Sequence, residues 1–288
     1  MFEIIQPTPR KSDKALIFQT HVLDKFIISQ FEKIYNQVGD QYDIFVMTDA
    51  SRIKFPCRFG RIVENTPSVP IIYVDYTELY RKYYITKKMQ RRTVMYHSEH
   101  LPFVEFAKHL PDYAGFWRVE YDVHYEGDWS DILEDLSGRG DDLITASLLD
   151  HPDCRHYWNH WFKARTPVKV EDLVRAHHAL MYMSTELCLN IGELSGDDPN
   201  QYRGHYEVLV PSIAAHNAYS ISDIGGYSKY TPKDRWGKYY QNLVGIGLGC
   251  KSLSTFSAFG NFFDTEKVEG TLYHPVKVPK NKRHIYKL

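Results

Sequence analysis

The chain has 288 residues, 43% of them hydrophobic and 25% charged, which is the composition of a soluble globular protein long enough for one large or two small domains. A formal net charge of -1 supplies no global field that would draw it to nucleic acid or to acidic lipid, so an anionic ligand has to be met by a local arrangement. No stretch reaches the roughly 18 apolar residues of a membrane span, and Cys57, Cys154, Cys188 and Cys250 form no CxxC pair, so the expectation is a cytoplasmic protein with reduced thiols.

Taken in chain order, "KALIFQTH" (14–21) and "YDIFVMTD" (42–49) are short, partly branched apolar runs ending in polar residues, the form of buried parallel strands. Between them "DKFIISQFEKIYNQVG" places Phe26, Ile27, Phe31, Ile34, Tyr35 and Val38 at helical spacing before Gly39, which completes a β-α-β unit. A third run, "VPIIYVDYTEL", precedes the basic stretch "RKYYITKKMQRR", and "SEHLPFVEFAKHL" resumes helical periodicity. The strand "FWRVEYDV" follows, then a short helix "SDILEDLSG" capped by Ser130 or Asp131, then the strand "DDLITASLL". This alternation predicts an α/β fold with an open, mostly parallel sheet, whose ligands bind beyond the carboxyl ends of the strands. Residues 170–194, "VEDLVRAHHALMYMSTELCLNIGEL", read as the longest helix, and a second helix begins near Glu207. The tail from 225 onward is loop-rich and ends in basic residues.

The informative stretch is "WRVEYDVHYEGDW" (117–129). Residues two apart on a strand share a face, so Glu120 and Asp122 are expected to converge where the strand ends. Like charges so close repel unless a cation or donors lie between them, and a hard divalent ion such as Mn²⁺ or Mg²⁺, completed by water and substrate phosphates, resolves this. Two exposed acids at a solvated strand end remain the bland alternative for the residues taken alone.

With its "EYD" after an N-terminal β-α-β half, the chain resembles the nucleotide-sugar glycosyltransferases of the GT-A fold, in the order of elements from about 14 to 277. That resemblance implies a GT-A-like (Rossmann-like) single domain, with residues 1–150 as the nucleotide-sugar-binding half and 151–288 as the acceptor-side half with a closing C-terminal loop. It implies Asp122 as metal ligand and Glu120 as a ribose or outer contact, the Glu standing where the family's motif has its first Asp. It further implies Glu207, in "RGHYEVLVPS", as the base that deprotonates an acceptor hydroxyl in an inverting reaction, or as a substrate-orienting group in a retaining one. In "GTLYHPVK" (270–277) it implies His274 as a second metal ligand and Lys277 as a contact to the diphosphate. Gln19, Thr20, His21 and Asp49, at the ends of the first two strands, are the implied nucleotide contacts, while Arg91 and Arg92 in the basic stretch are read as solvated rather than bound.

The expected function is therefore metal-dependent transfer from a nucleoside-diphosphate sugar, a UDP-sugar foremost, to a glycan or lipid-linked glycan hydroxyl in bacterial surface polysaccharide such as lipopolysaccharide or capsule. The rivals are a metal-dependent phosphohydrolase and a nucleotide- or glycan-binding module without turnover. His151, Cys154, His156 and His160 lack zinc-site spacing, and "GIGLGC" (245–250) lies far from any first β-α turn, so both are read as structural. Phe256, Phe259, Phe262 and Phe263, upstream of the basic tail, are read chiefly as core, with peripheral membrane contact as the functional alternative.

Overall fold

Ala15, Leu16, Ile17 and Phe18 are all fully buried, alternating between two apolar clusters that lie on opposite faces of one sheet. A computed structural model describes residues 2–5, 9–21, 24–49, 69–84, 99–154, 164–240, 262–264, 266–282 and 284–285. Arg91, Arg92, His156, His160, Phe256, Phe259, Cys57, Cys250 and "GIGLGC" lie outside the described residues.

The strands are β1 (Phe2–Ile5), β2 (Lys14–Gln19), β3 (Asp43–Asp49), β4 (Ile71–Val74), β5 (Gly115–Glu120), β6 (His124–Glu126), β7 (Leu143–Asp150), β8 (Val174–Ser184), β9 (Ile221–Asp223) and β10 (Thr271–Tyr273). The helices are α1 (Lys25–Val38), α2 (Tyr76–Tyr83), α3 (Leu101–His109), α4 (Trp129–Ser137), α5 (His151–Cys154), α6 (Thr185–Leu194) and α7 (Tyr206–His216). The main sheet has the order β1-β4-β3-β2-β5-β8-β7-β9, and β6 pairs with β10 in a separate two-stranded ribbon. Strands β4, β3, β2 and β5 are parallel and β9 is parallel to β7, while β1 and β8 run against their neighbours. The fold is thus α/β with a mostly parallel central sheet flanked by helices. Leu16, Phe18, Trp117 and Val119 face α1 and α4; Ala15, Ile17 and Phe116 face α2, α3, α6 and α7. Burial on both faces is why these strands read as unbroken apolar runs.

Four expectations need correction. Residues 174–184 form β8, an eleven-residue strand wedged antiparallel between β5 and β7, where a helix was expected. It is buried along most of its length, and a run with no exposed face carries no periodicity to separate strand from helix. The helix proper starts after Ser184, whose side chain accepts from the Leu187 N–H. The cap of α4 is Asp128, not Ser130 or Asp131. Finally, β5 ends at Glu120, so Asp122 sits in the turn beyond it, closed by Val123 N–H donating to Glu120 O at 3.0 Å. The antiparallel strand β1 and the β6–β10 ribbon were not anticipated at all.

One buried acid outside the site tests the packing of the α2–α3 layer. Glu105 on α3 accepts from Lys82 at 2.7 Å and from the Tyr83 hydroxyl at 2.6 Å. Burial pushes its pKa up, but those hydrogen bonds and the charges of Lys82 and Lys108 outweigh it, leaving the carboxyl below its ordinary 4.5. Because the folded value lies below the unfolded one, the stabilisation is complete above about pH 4.5 and fades as pH falls through the folded value. Glu105→Gln should cost about 1–2 kcal/mol in urea melts at pH 7, with the gap to the wild type narrowing at pH 3.

Candidate functional site

The strand order reverses between β2 and β5, and in open α/β sheets ligands bind beyond the carboxyl ends of the strands at such a point. Gln19 and Glu120 are register partners at those two ends, so the acid predicted from sequence stands where the strand order reverses. Arg118, two residues earlier on the same face, holds it there. Its guanidinium has no exposed surface and donates to Glu120 Oε1 at 2.6 Å, Glu99 Oε2 at 2.8 Å, Gln19 Oε1 at 2.6 Å and His178 O at 3.1 Å. Burial would raise the Glu120 pKa, yet Arg118 and His274 bring it down to about 2. One oxygen of Glu120 is thereby fixed by Arg118 and the other left facing His274 at 3.5 Å.

His274 arrives from the other end of the chain. Strand β10 pairs with β6, just past the Asp122 turn, and Val276 N–H donates to Asp122 O at 2.7 Å, which clamps the C-terminal segment over that turn. His274 Nε2 lies 3.4 Å from Asp122 Oδ1, and Lys277 Nζ lies 3.3 Å from Asp122 Oδ2. Ligand atoms of Glu120, Asp122 and His274 all fall within 4.8 Å of one another, the sole such group among the described residues.

Two observations show that these residues suit a divalent cation. Asp122 is 3% exposed, and its Oδ1 is buried without a hydrogen bond of ordinary geometry. Burial lowers the His274 pKa, but hydrogen bonds to Asp122 and Glu120 raise it to about 9, so in the bare chain a proton on Nε2 supplies the positive charge the two acids require. Two carboxylates with one imidazole form a donor set that accepts Mn²⁺ more readily than Mg²⁺.

Behind His274 the structure adds residues that sequence reasoning missed. His177, on β8, places Nε2 3.1 Å from His274 Nδ1 and Nδ1 3.1 Å from Glu207 Oε1. Glu207 opens α7 and is 7% exposed; its N–H donates to His205 Nδ1 at 3.3 Å. Burial pushes the Glu207 pKa up, but the His177 hydrogen bond and its basic neighbours, His205 and Arg175 among them, hold it well below the usual carboxylate range. Expected at the acceptor side as a base, Glu207 is thus joined through His177 to the cluster at the end of β5.

The remaining sequence candidates sit along the same edge with varied partners. Gln19 is engaged on both amide atoms, accepting from Arg118 and donating to Tyr76 OH at 2.8 Å. Thr20 is buried with its N–H on Met47 O at 2.9 Å, His21 lies edge-on to Tyr121 with ring centroids 4.8 Å apart, and Asp49 is buried at the end of β3. Phe262 and Phe263 pack against His124, Tyr273 and Phe26, which accounts for them as partly buried core. His151 and Cys154 are buried in α5, and neither Cys154 nor Cys188 is in a disulfide.

A family model described as "Protein of unknown function (DUF3405)" matches residues 65–144. No curated protein matches the sequence. Among solved structures, the mannosyltransferase PcManGT from Pyrobaculum calidifontis, in complex with GDP-Man and Mn²⁺, aligns at 15% identity and a TM-score of 0.41, over 78% of this chain and 55% of its own. Mouse xyloside xylosyltransferase 1 aligns at 11% identity and a TM-score of 0.42, over 74% of this chain and 85% of its own. A putative glucose-1-phosphate thymidylyltransferase from Bacillus anthracis aligns at 9% identity and a TM-score of 0.41, over 74% and 88% respectively. This chain therefore spans little more than half the length of the mannosyltransferase. Among the described residues no helix is long and apolar enough to cross a membrane.

Arg118 carried a signal that the sequence offered openly, a lone cation inside an apolar strand two residues before an acid. His177 carried a weaker one, half of a His–His pair in a run misassigned as helix.

Proposed function

We propose that the chain is a metal-dependent glycosyltransferase of GT-A type that passes a sugar from a nucleoside diphosphate to a hydroxyl acceptor. One observation carries this reading: Glu120, Asp122 and His274 converge at the strand-order reversal, with a buried Asp122 oxygen that has no hydrogen-bond partner of ordinary geometry. Asp122 and His274 would hold the ion, with Glu120, steered by Arg118, completing the protein's share of the ligands. A bound Mn²⁺ or Mg²⁺ supplies Lewis-acid stabilisation to the diphosphate as it leaves.

The chain's own groups do the rest. Lys277 is 61% exposed on its side chain and stands at the rim beside Asp122, placed to exchange that contact for a phosphate oxygen as a point charge. Thr20, His21 and Asp49, at the ends of β2 and β3, are the proposed contacts to the nucleoside. Gln19 acts in this reading by fixing Arg118 and Tyr76. The donor is proposed as a UDP-sugar, the acceptor as a glycan or lipid-linked glycan, and the setting as the cytoplasmic face of polysaccharide synthesis.

A thermal-shift series separates the alternatives, because a ligand that binds only the native state raises the melting point. UDP, GDP and CDP, each with and without Mn²⁺, should give one nucleotide whose shift appears only with the metal, about 2.7 kcal/mol of stabilisation at a hundredfold excess over Kd. Indifference to every nucleotide with Mn²⁺ present would end the proposal.

A further inference from the structure

The position of Glu207 carries a role different from that of a base. Its carboxylate can only accept at pH 7, so the hydrogen on His177 is assigned to Nδ1, which donates to Glu207 Oε1 at 3.1 Å. In neutral His177 Nε2 is then an acceptor, and the group 3.1 Å away is His274 Nδ1, which carries the hydrogen between them. With Nδ1 committed, Nε2 is the His274 nitrogen turned toward Asp122 and Glu120.

The elements that carry the line differ in kind. His177 sits in β8 opposite Ala146, its carbonyl receiving Thr145 Oγ1 at 2.9 Å, and Glu207 is set in the first turn of α7. His274 belongs to the segment after β10, attached through the ribbon and the Val276–Asp122 bond. A strand and a helix thus hold one side of the imidazole while the cation would hold the other.

We infer that Glu207 is a positioning residue, acting through His177 to fix the orientation and hydrogen placement of His274 so that its Nε2 is presented to the metal. The inference rests on the metal-site reading above and deepens it. The carboxylate–imidazole–imidazole line is the outer support of a ligand that otherwise arrives on a loop, and such support is worth about 10–100-fold in metal affinity. A base, by contrast, must face the acceptor with a free oxygen and a pKa near the working pH. Glu207 is 7% exposed and its Oε1 is committed to His177, while Oε2 lies 3.7 Å from His205 Nδ1, beyond hydrogen-bond distance.

The test is the affinity for Mn²⁺ alone, without donor or acceptor, followed by the electron paramagnetic resonance signal of the free ion. Wild type, Glu207→Gln, Glu207→Asp and His177→Gln are titrated, and each bare protein is melted in parallel to check that it is folded. Glu207→Gln and His177→Gln should weaken binding by about 10–100-fold, with Glu207→Asp, which keeps the charge, recovering part of that loss. A folded Glu207→Gln that binds Mn²⁺ as tightly as wild type overturns the inference and returns Glu207 to the role of base. Wild type that binds no Mn²⁺ overturns the metal-site reading itself, and this inference with it.

Discussion

Asp122→Asn should lower sugar transfer by about a thousandfold or more, the several kcal/mol expected when a ligand of a Lewis-acidic ion is lost, at about 1.4 kcal/mol per tenfold. Asparagine keeps the size of the side chain, and the backbone bonds of the turn, Val123 N–H to Glu120 O and Val276 N–H to Asp122 O, do not use the carboxylate. The fold should therefore survive, and the bare variant should melt within a few degrees of wild type. What disappears is the negative charge on an oxygen that is buried, has no hydrogen bond of ordinary geometry, and faces His274 Nε2 at 3.4 Å. In the thermal-shift series the nucleotide response of this variant should no longer depend on Mn²⁺. Glu120→Gln makes the instructive comparison. One oxygen of Glu120 is already committed to Arg118, so the loss of transfer should be smaller than for Asp122→Asn. A folded Asp122→Asn that keeps metal-dependent nucleotide binding would remove the basis of the functional reading.

How much of this was legible in the sequence depended on whether a residue's environment was local. Strands β2 and β3 and helix α1 were readable because apolar runs, helical spacing and the closing Gly39 all lie within one unit. Strand β8 was not, since a strand flanked by others on both edges and covered on both faces shows no alternation, and its two histidines were misplaced with it. Glu120 and Asp122 announced themselves as neighbouring acids at the end of an apolar run, although the second stands in a turn and not on the strand. His274 is different in kind. Nothing in its neighbourhood distinguishes it from a surface-loop histidine, and only the resemblance to a family singled it out. The pairing that delivers it, β10 against β6, joins three-residue strands too short for a pattern. His177 and Arg118 act through partners distant in the chain, so their roles could only be seen once the sheet had brought Gln19, Glu99 and Glu207 around them.

Arg118→Met should destabilise the protein by about 3–5 kcal/mol, the usual consequence of removing one partner from a buried ion pair. At roughly 2–4 °C per kcal/mol for a domain of this general size, the melting point should fall by about 10 °C. The reason lies in what is left behind: Glu99 and Glu120 lose a shared guanidinium at 2.8 and 2.6 Å, and Gln19 loses a 2.6 Å donor. The guanidinium carbon also lies 5.3 and 5.5 Å from the ring centroids of Phe103 and Tyr206, contacts that methionine gives up together with the charge. Burial already pushes the Glu99 pKa up, and without Arg118 to oppose it that carboxyl should take up a proton on folding. Adding Glu99→Gln to Arg118→Met should therefore recover part of the stability, since it removes one stranded acid. It should not recover Mn²⁺ affinity, because Glu120 still lacks the donor that fixes its first oxygen and turns the second toward His274. A single Arg118→Met variant that melts within 2 °C of wild type would contradict this account, as would a double variant in which metal binding returns together with stability. The two readouts separate what the guanidinium does for the sheet from what it does for the acid at the sheet's end.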